Sequence, residues 1–197
     1  MPNWCSTTVA LCSENKGTIE KIEKNLKEKE HSCSSNFICD ILGIKEEEIV
    51  KNSRSFLVSI QDSNTFFENE KESFYYLCIN LEDAWSPHSL PWQSYIKRFP
   101  DVWIEFVACE PGCELYKKSH DSILFPENYY FEVETENGDI ESEELSEIGV
   151  IHMAEKFLGI NFDSISEVYN FIESKMYDED KLLSLYEYEE CDFFDYI

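Results

Sequence analysis

Cys109 and Cys113 stand four positions apart around Glu110-Pro111-Gly112, a C-x3-C spacing that could offer two thiolates to a soft metal ion. A tetrahedral site needs two more ligands, for which His88 and Cys5 are the candidates, and an iron–sulfur cluster needs four well-spaced thiolates. Neither pattern is present. A cysteine nucleophile needs a base, and the four histidines, His31, His88, His120 and His152, stand in no nucleophile motif. His152, inside the apolar run Val150-Ile151-His152-Met153, reads as a partly buried helical residue, and His88, beside Pro87, as a loop residue. Carboxylate pairs such as Glu143-Glu144 and Glu189-Glu190 read as solvated faces in a chain with 41 acidic side chains. Asp178-Glu179-Asp180 and Asn137-Gly138-Asp139 match no twelve-residue calcium loop, and no GxGxxG, phosphate-binding loop or HExxH occurs. The sequence therefore predicts no catalytic residue, no metal and no cofactor. The eight cysteines are expected to be reduced, and those inside apolar runs, such as Cys12 and Cys78, to act as small buried hydrophobes.

Two turns remain as places where chemistry could be presented. They are Asp83-Ala84-Trp85-Ser86-Pro87 and Glu110-Pro111-Gly112-Cys113. On a structural reading Trp85 packs at a sheet edge, Pro87 fixes the start of a helix, and Gly112 supplies a positive φ. On a functional reading Trp85, Ser86, Pro87, Glu110 and Gly112 share a binding surface with Asn3 and Trp4, because exposed aromatic residues are common interface anchors.

The elements that must position these turns follow from periodicity. Trp4 to Cys12 reads as a strand, with β-branched Thr7, Thr8 and Val9. Gly17 and Thr18 open a helix with Ile19, Ile22 and Leu26 on one face. A helical patch lies between Phe37 and Val50, interrupted by Gly43. Phe56–Ile60 and Phe74–Leu81 read as strands separated by the turn residues Asp62-Ser63-Asn64. Ser89 can cap a helix carrying the stripe Trp92, Tyr95, Ile96 and Phe99, stopped by Pro100. Val102–Val107 is the next strand. The order strand, helix, strand, strand, helix, strand is a ferredoxin-like split βαβ arrangement with both helices on one face, within the α+β class. Beyond Cys113 the sequence predicts further strand, a hairpin from Tyr129–Thr135 to Ile140 through Asn137-Gly138-Asp139, and two helices ending the chain. Ser164-Ile165-Ser166-Glu167 is a capping box, followed by Ile165, Val168, Tyr169, Ile172 and Met176 at helical spacing.

Charge divides the chain. Residues 1–126 hold 20 acidic and 13 basic side chains, a net of −7, whereas residues 127–197 hold 21 and 3, a net of −18. This shift predicts a ferredoxin-like domain over 1–126 and an acidic extension over 127–197, made of a hairpin plus helices and packed on the core because it is also rich in Tyr, Phe, Ile and Leu. The formal charge of −25 disfavours contact with nucleic-acid phosphates and anionic lipid. The sequence contains no apolar run long enough to span a bilayer, and its opening has neither a basic start nor an apolar stretch, so a cytoplasmic location is expected.

Met1-Pro2-Asn3-Trp4-Cys5, Asp83-Ala84-Trp85-Ser86-Pro87 and Glu110-Pro111-Gly112-Cys113 occur in that order. Together they resemble the Api92-like or YubB-type family, a ferredoxin-like domain of bacterial plasmids and phages. The resemblance covers about residues 1–120 and implies a fold and a mobile-element context. The name concerns chain topology and implies no iron–sulfur cluster. Glu114-Leu115-Tyr116 depart from the small residues that usually follow the last motif in that family.

Three function classes follow. The first is a non-enzymatic protein-interaction module encoded on a mobile element. The second is an anti-restriction or anti-defence inhibitor whose carboxylates mimic nucleic acid toward a basic partner, with Glu141, Glu143, Glu144 and Glu147 as the face presented. The third, a metal-binding protein or cysteine enzyme, rests on the cysteines alone.

Overall fold

The computed structural model describes residues 3–33, 35–68, 71–134, 139–175 and 183–195. The protein is α+β, and its chain divides into two compact units, Met1–Phe125 with Glu190–Ile197, and Pro126–Glu189. Residues 190–197 therefore belong with the first unit rather than with residues 127–189.

In the first unit β1 (Trp4–Ser13) is flanked by antiparallel neighbours on both sides. It leads into α1 (Lys16–Ser32), which begins where the Asn15 side chain accepts the Gly17 N–H at 3.0 Å. Two short helices follow, α2 (Ile38–Leu42), closed by Gly43 at φ 67°, and α3 (Glu47–Asn52). β2 (Ser55–Ile60) and β3 (Asn64–Glu68) pair in turn with the two halves of one long strand, β4 (Lys71–Ala84). α4 (Leu90–Ile96) connects β4 to β5 (Trp103–Glu110), and a 3-10 turn, Pro111–Cys113, connects β5 to β6 (Leu115–Ser119). The strand order β6-β5-β1-β4-β2 is extended beyond β6 by β10 (Glu189–Cys191).

Alternation along β1 explains the layering, because successive side chains point to opposite faces. Cys5, Val9 and Leu11 point to the face that also buries Ile19, Ile22 and Leu26 of α1 and Trp92 and Tyr95 of α4. Ala10 and Cys12 point to the other face, against Phe74 and Cys78, where Leu124 and Phe125 pack over them. The segment that carries Leu124 is pinned by a buried carboxylate. Glu105 accepts hydrogen bonds from Ser122 Oγ at 2.6 Å and from the amides of Ile123 and Leu124 at 3.2 Å each. Glu105→Ala leaves the buried Ser122 hydroxyl without this acceptor and releases the two amides beside it. It is expected to cost about 1–3 kcal/mol in urea unfolding and to speed proteolysis near residue 123; an unchanged midpoint would show that the carboxylate does not hold the segment.

Several local expectations are corrected. Ser89 makes no side-chain cap bond, because its backbone is itself helical. α4 ends at Ile96, and Phe99 reaches the core from the turn beyond it. Gly112 does not have a positive φ; the left-handed residue of that turn is Glu114, at φ 51°. Glycine is needed at 112 for space instead, since a Cβ there would lie 3.0 Å from Glu110 Oε1 and 3.1 Å from Asn3 Nδ2.

The second unit is a three-stranded antiparallel sheet of order β8-β7-β9, from β7 (Tyr129–Glu134), β8 (Ile140–Leu145) and β9 (Leu183–Glu187), with α5 (Glu147–Leu158) and α6 (Ile165–Lys175). Phe131 and Val133 bury against Val150, Ala154 and Val168, with Ile165, Tyr169 and Ile172 packed around them. In the capping box Ser164 Oγ accepts the Glu167 amide at 3.4 Å, while the Glu167 carboxylate accepts the Asp163 amide at 2.9 Å. His152 is on α5 as expected but exposed. The two helices do not end the chain, since β9, β10 and a 3-10 turn at Phe193–Asp195 follow them. Met176, Asn137, Gly138 and Asp178-Glu179-Asp180 lie outside the described residues.

Candidate functional site

The three motif segments converge at one end of the first unit's sheet. The Trp85 amide donates to the Asn3 carbonyl at 2.9 Å, one step beyond the Trp4–Ala84 pair of β1 and β4. Asn3 Nδ2 in turn donates to Cys113 Sγ at 3.4 Å, and Glu110 Oε1 accepts the Gly112 amide at 3.2 Å. Asn3, Trp85, Glu110, Gly112 and Cys113 are thus tied together by hydrogen bonds across β1, β4 and β5. Trp85 sits at φ 75° and is 51% exposed. A left-handed conformation costs a non-glycine residue of order 1–3 kcal/mol, and here it holds an aromatic ring in solvent. Trp4, 44% exposed, projects from the opposite face to Cys5, with its ring edge-on to Phe56 at 5.6 Å.

Beneath the Trp85 turn runs a buried polar row. Residues directly opposite in an antiparallel pair share a face. Cys5 pairs with Asp83, and Asp83 with Ser55, while the Ser6–Cys109 pair puts Glu110 next in line beside Cys5. The row Glu110, Cys5, Asp83, Ser55 therefore crosses β5, β1, β4 and β2 on the helix-bearing face. Asp83, Cys5 and Ser55 have no exposed surface, and Glu110 is 5% exposed. Asp83 Oδ2 accepts the His88 amide at 3.4 Å, whereas Asp83 Oδ1, Glu110 Oε2, Ser55 Oγ and, nearby in sequence, Ser53 Oγ have no hydrogen-bond partner. Trp92 Nε1 on α4 is likewise buried without an acceptor.

Burial dominates the electrostatics of this row. It holds the Asp83 carboxyl well above the usual carboxylate range. The hydroxyls of Ser55 and Thr7 and the nearby His88 favour the anion, but none offsets the desolvation, and no donor is aligned on Oδ1. Burial likewise pushes the Cys5 thiol up to about 12, with Asp83 and Glu110 adding to the shift. Cys113, although exposed, is raised through the Glu110 carboxylate beside it. These thiols stay protonated near neutral pH and are poor nucleophiles. All eight cysteines are free of disulfides. Among the described residues, no three His, Cys, Asp or Glu side chains are grouped so as to hold a metal ion.

A concavity of about 240 Å³ opens beside the row, between Ile49, Asn52 and Ser53 on one side and Ser86, His88 and Leu90 on the other. The loop that forms it is folded back on itself, since the His88 ring Nε2 lies 3.2 Å from the Ala84 carbonyl oxygen. Pro87 is buried in this loop and Ser86 half-buried.

The glutamates singled out from the sequence lie in the second unit. Glu141, Glu143 and Glu144 are exposed on β8, one of the two edge strands of its sheet, and Glu147 is exposed in the first turn of α5. Glu144 accepts a hydrogen bond from Tyr188 OH at 3.0 Å.

Asp83, Ser53 and Ser55 were not singled out from the sequence. One signal was there: Leu77, Ile79, Leu81 and Asp83 alternate, so a strand continued to residue 83 puts the carboxylate on the buried face. No helix among the described residues is long and apolar enough to cross a membrane. No family model, curated protein or solved structure matches this chain.

Proposed function

We propose that this chain is a non-enzymatic protein-interaction module of the cytoplasm, built on a ferredoxin-like core of the Api92-like or YubB-type kind that plasmids and phages encode. The antiparallel order β5-β1-β4-β2, with α1 and α4 burying into one face, supports the ferredoxin-like reading. One observation carries the functional reading: the three motif segments meet at one sheet end and hold Trp85 exposed in a strained backbone. A non-glycine residue held at positive φ with its ring in solvent points to use of the side chain it presents, and a well-exposed tryptophan is a typical binding hot spot. The contact surface comprises Asn3, Trp4, Trp85, Ser86 and Gly112, while Pro87 and Glu110, also expected there, are buried and hold the two turns from beneath.

A second reading rests on β8. Its rise of about 3.4 Å per residue matches the axial spacing of phosphates along one DNA strand, about 3.4 Å, and it exposes Glu141, Glu143 and Glu144. On this reading the second unit occupies the nucleic-acid groove of a basic protein.

Capture of partners from source-cell lysate at low and high salt separates the two. The interaction-module reading expects Trp85→Ala to weaken capture at least about tenfold. It expects replacement of Glu141, Glu143, Glu144 and Glu147 by Gln to leave capture intact. Mimicry expects the converse, with steep loss in salt.

A further inference from the structure

The buried row at Asp83 is short of donors. A buried acceptor without a hydrogen bond is unusual in a folded protein and calls for a water, an ion or a ligand. Here four such oxygens, on Ser53, Ser55, Asp83 and Glu110, fall at one end of one sheet. Among the described residues, no Lys or Arg is ion-paired with Asp83 or Glu110. Asp83 Oδ2 accepts the His88 amide at a long 3.4 Å, and the Ser55 and Thr7 hydroxyls stand close to the carboxyl. Ser53 is 5% exposed, and it lines the cavity directly. Asp83 stands behind His88, a second lining residue.

Building on the interaction-module reading, we propose that this cavity takes a basic side chain of the partner protein, an arginine or lysine, which donates to Ser53 and whose positive charge draws the carboxyl of Asp83, behind His88, into its ionised form.

Size supports one side chain rather than a whole ligand. The cavity, about 240 Å³, is smaller than the range of roughly 300–1,000 Å³ common for small-molecule sites and much larger than the share of a single water, about 30 Å³. A metal ion is a poor alternative, since Asp83 and Glu110 lie two strands apart, roughly 10 Å at the spacing of sheet strands. A guanidinium suits the site best. Its fork offers several donors to scattered oxygens, and its flat face can lie on an exposed indole such as Trp85. The chain's net charge of −25 draws cations toward the surface from solution. Trp92 Nε1 is a donor and takes no part.

The test uses the full chain, labelled with nitrogen-15, and agmatine, an alkylguanidinium, as the probe. Sodium chloride at equal ionic strength is the control. Saturable shifts at the amides of Ser53, His88 and Ser89 are expected with agmatine and not with salt. Binding is expected to weaken about tenfold, one decade in Kd, in Asp83→Asn and again in Ser53→Ala. Agmatine in excess is also expected to displace a partner captured through Trp85. Absence of saturable shifts would overturn the proposal, as would equal agmatine affinity in Asp83→Asn. Saturable binding that leaves the partner in place would overturn the assignment to a partner side chain and point to a free organic cation. Trp85-dependent capture that persists without agmatine binding leaves the interaction module standing and removes this inference alone.

Discussion

Cutting the chain after Glu189 is expected to leave the first unit without a stable core. The cut removes β10 from the sheet and withdraws Phe193, which is 3% exposed and packs its ring 4.8 Å from that of Phe106. It also removes Glu190, whose carboxylate lies 3.5 Å from the buried Lys118 ammonium and 3.6 Å from His120. Removing the carboxylate partner of a buried ammonium costs stability. The milder variant Phe193→Ala isolates the packing part, and large-to-small changes at buried phenylalanines cost about 3–5 kcal/mol. Set against a typical domain stability of about 5–15 kcal/mol, that is a large fraction. Urea unfolding followed by tryptophan fluorescence measures it, because all four tryptophans are in the first unit. A Phe193→Ala midpoint within experimental error of the parent would show that residues 190–195 only decorate the sheet.

Asp83→Asn is expected to act in the opposite direction. The Asp83 carboxyl is raised above its ordinary value of 3.8 by burial, so the folded state holds that proton more tightly than the unfolded chain does. Its contribution to stability is therefore greatest below pH 3.8. It is lost as pH climbs from there through the raised folded value. Asparagine has no charge to desolvate and offers two N–H donors to Ser55 and its neighbours. At neutral pH the variant is expected to be more stable by about 1–3 kcal/mol, the usual penalty for a buried group left unsatisfied. General charge repulsion in so acidic a chain also lowers stability as pH rises, so the informative quantity is the difference between the two proteins across the acidic range. A constant difference would mean that Asp83 does not titrate between the folded and unfolded states. A variant less stable than the parent at neutral pH would mean that the carboxylate makes contacts worth more than its desolvation.

The regular parts of the fold were readable because their signal is local. Ile19, Ile22 and Leu26 announce α1 and Phe131 and Val133 a strand, whatever those residues later pack against. β3 was missed because Phe66-Phe67 is too short a run to separate from turn residues on either side. β10 was missed for a different reason. Glu189-Glu190-Cys191 has no strand-like composition at all, and it is a strand only because β6 offers it an edge, a pairing across some seventy residues that no window of sequence contains. The candidate site divides in the same way. Its rim, Trp85 to Pro87 and Glu110 to Gly112, was visible as turn chemistry. Its interior, Asp83 with Ser53 and Ser55, depends on strand register. The role of Gly112 depends on the approach of Asn3, a residue more than a hundred positions away.

Tyr188 donates its amide to the Asn128 carbonyl at 2.8 Å, and Tyr129 pairs with Glu187. The first and last strand residues of the second unit are therefore held side by side by backbone hydrogen bonds. For the polymer this turns a long detour into a short one. Unfolded, residues 126–189 are a loop whose closure cost grows with the logarithm of its length; folded, the second unit holds its own two ends together at Asn128 and Tyr188. During synthesis β10 leaves the ribosome after all of residues 126–189. The first sheet must wait for it with an open edge, while the second unit has every strand it needs. A clasp of this kind could be exchanged for a turn of a few residues without moving its anchor points, the condition under which insertions arise and are tolerated in evolution.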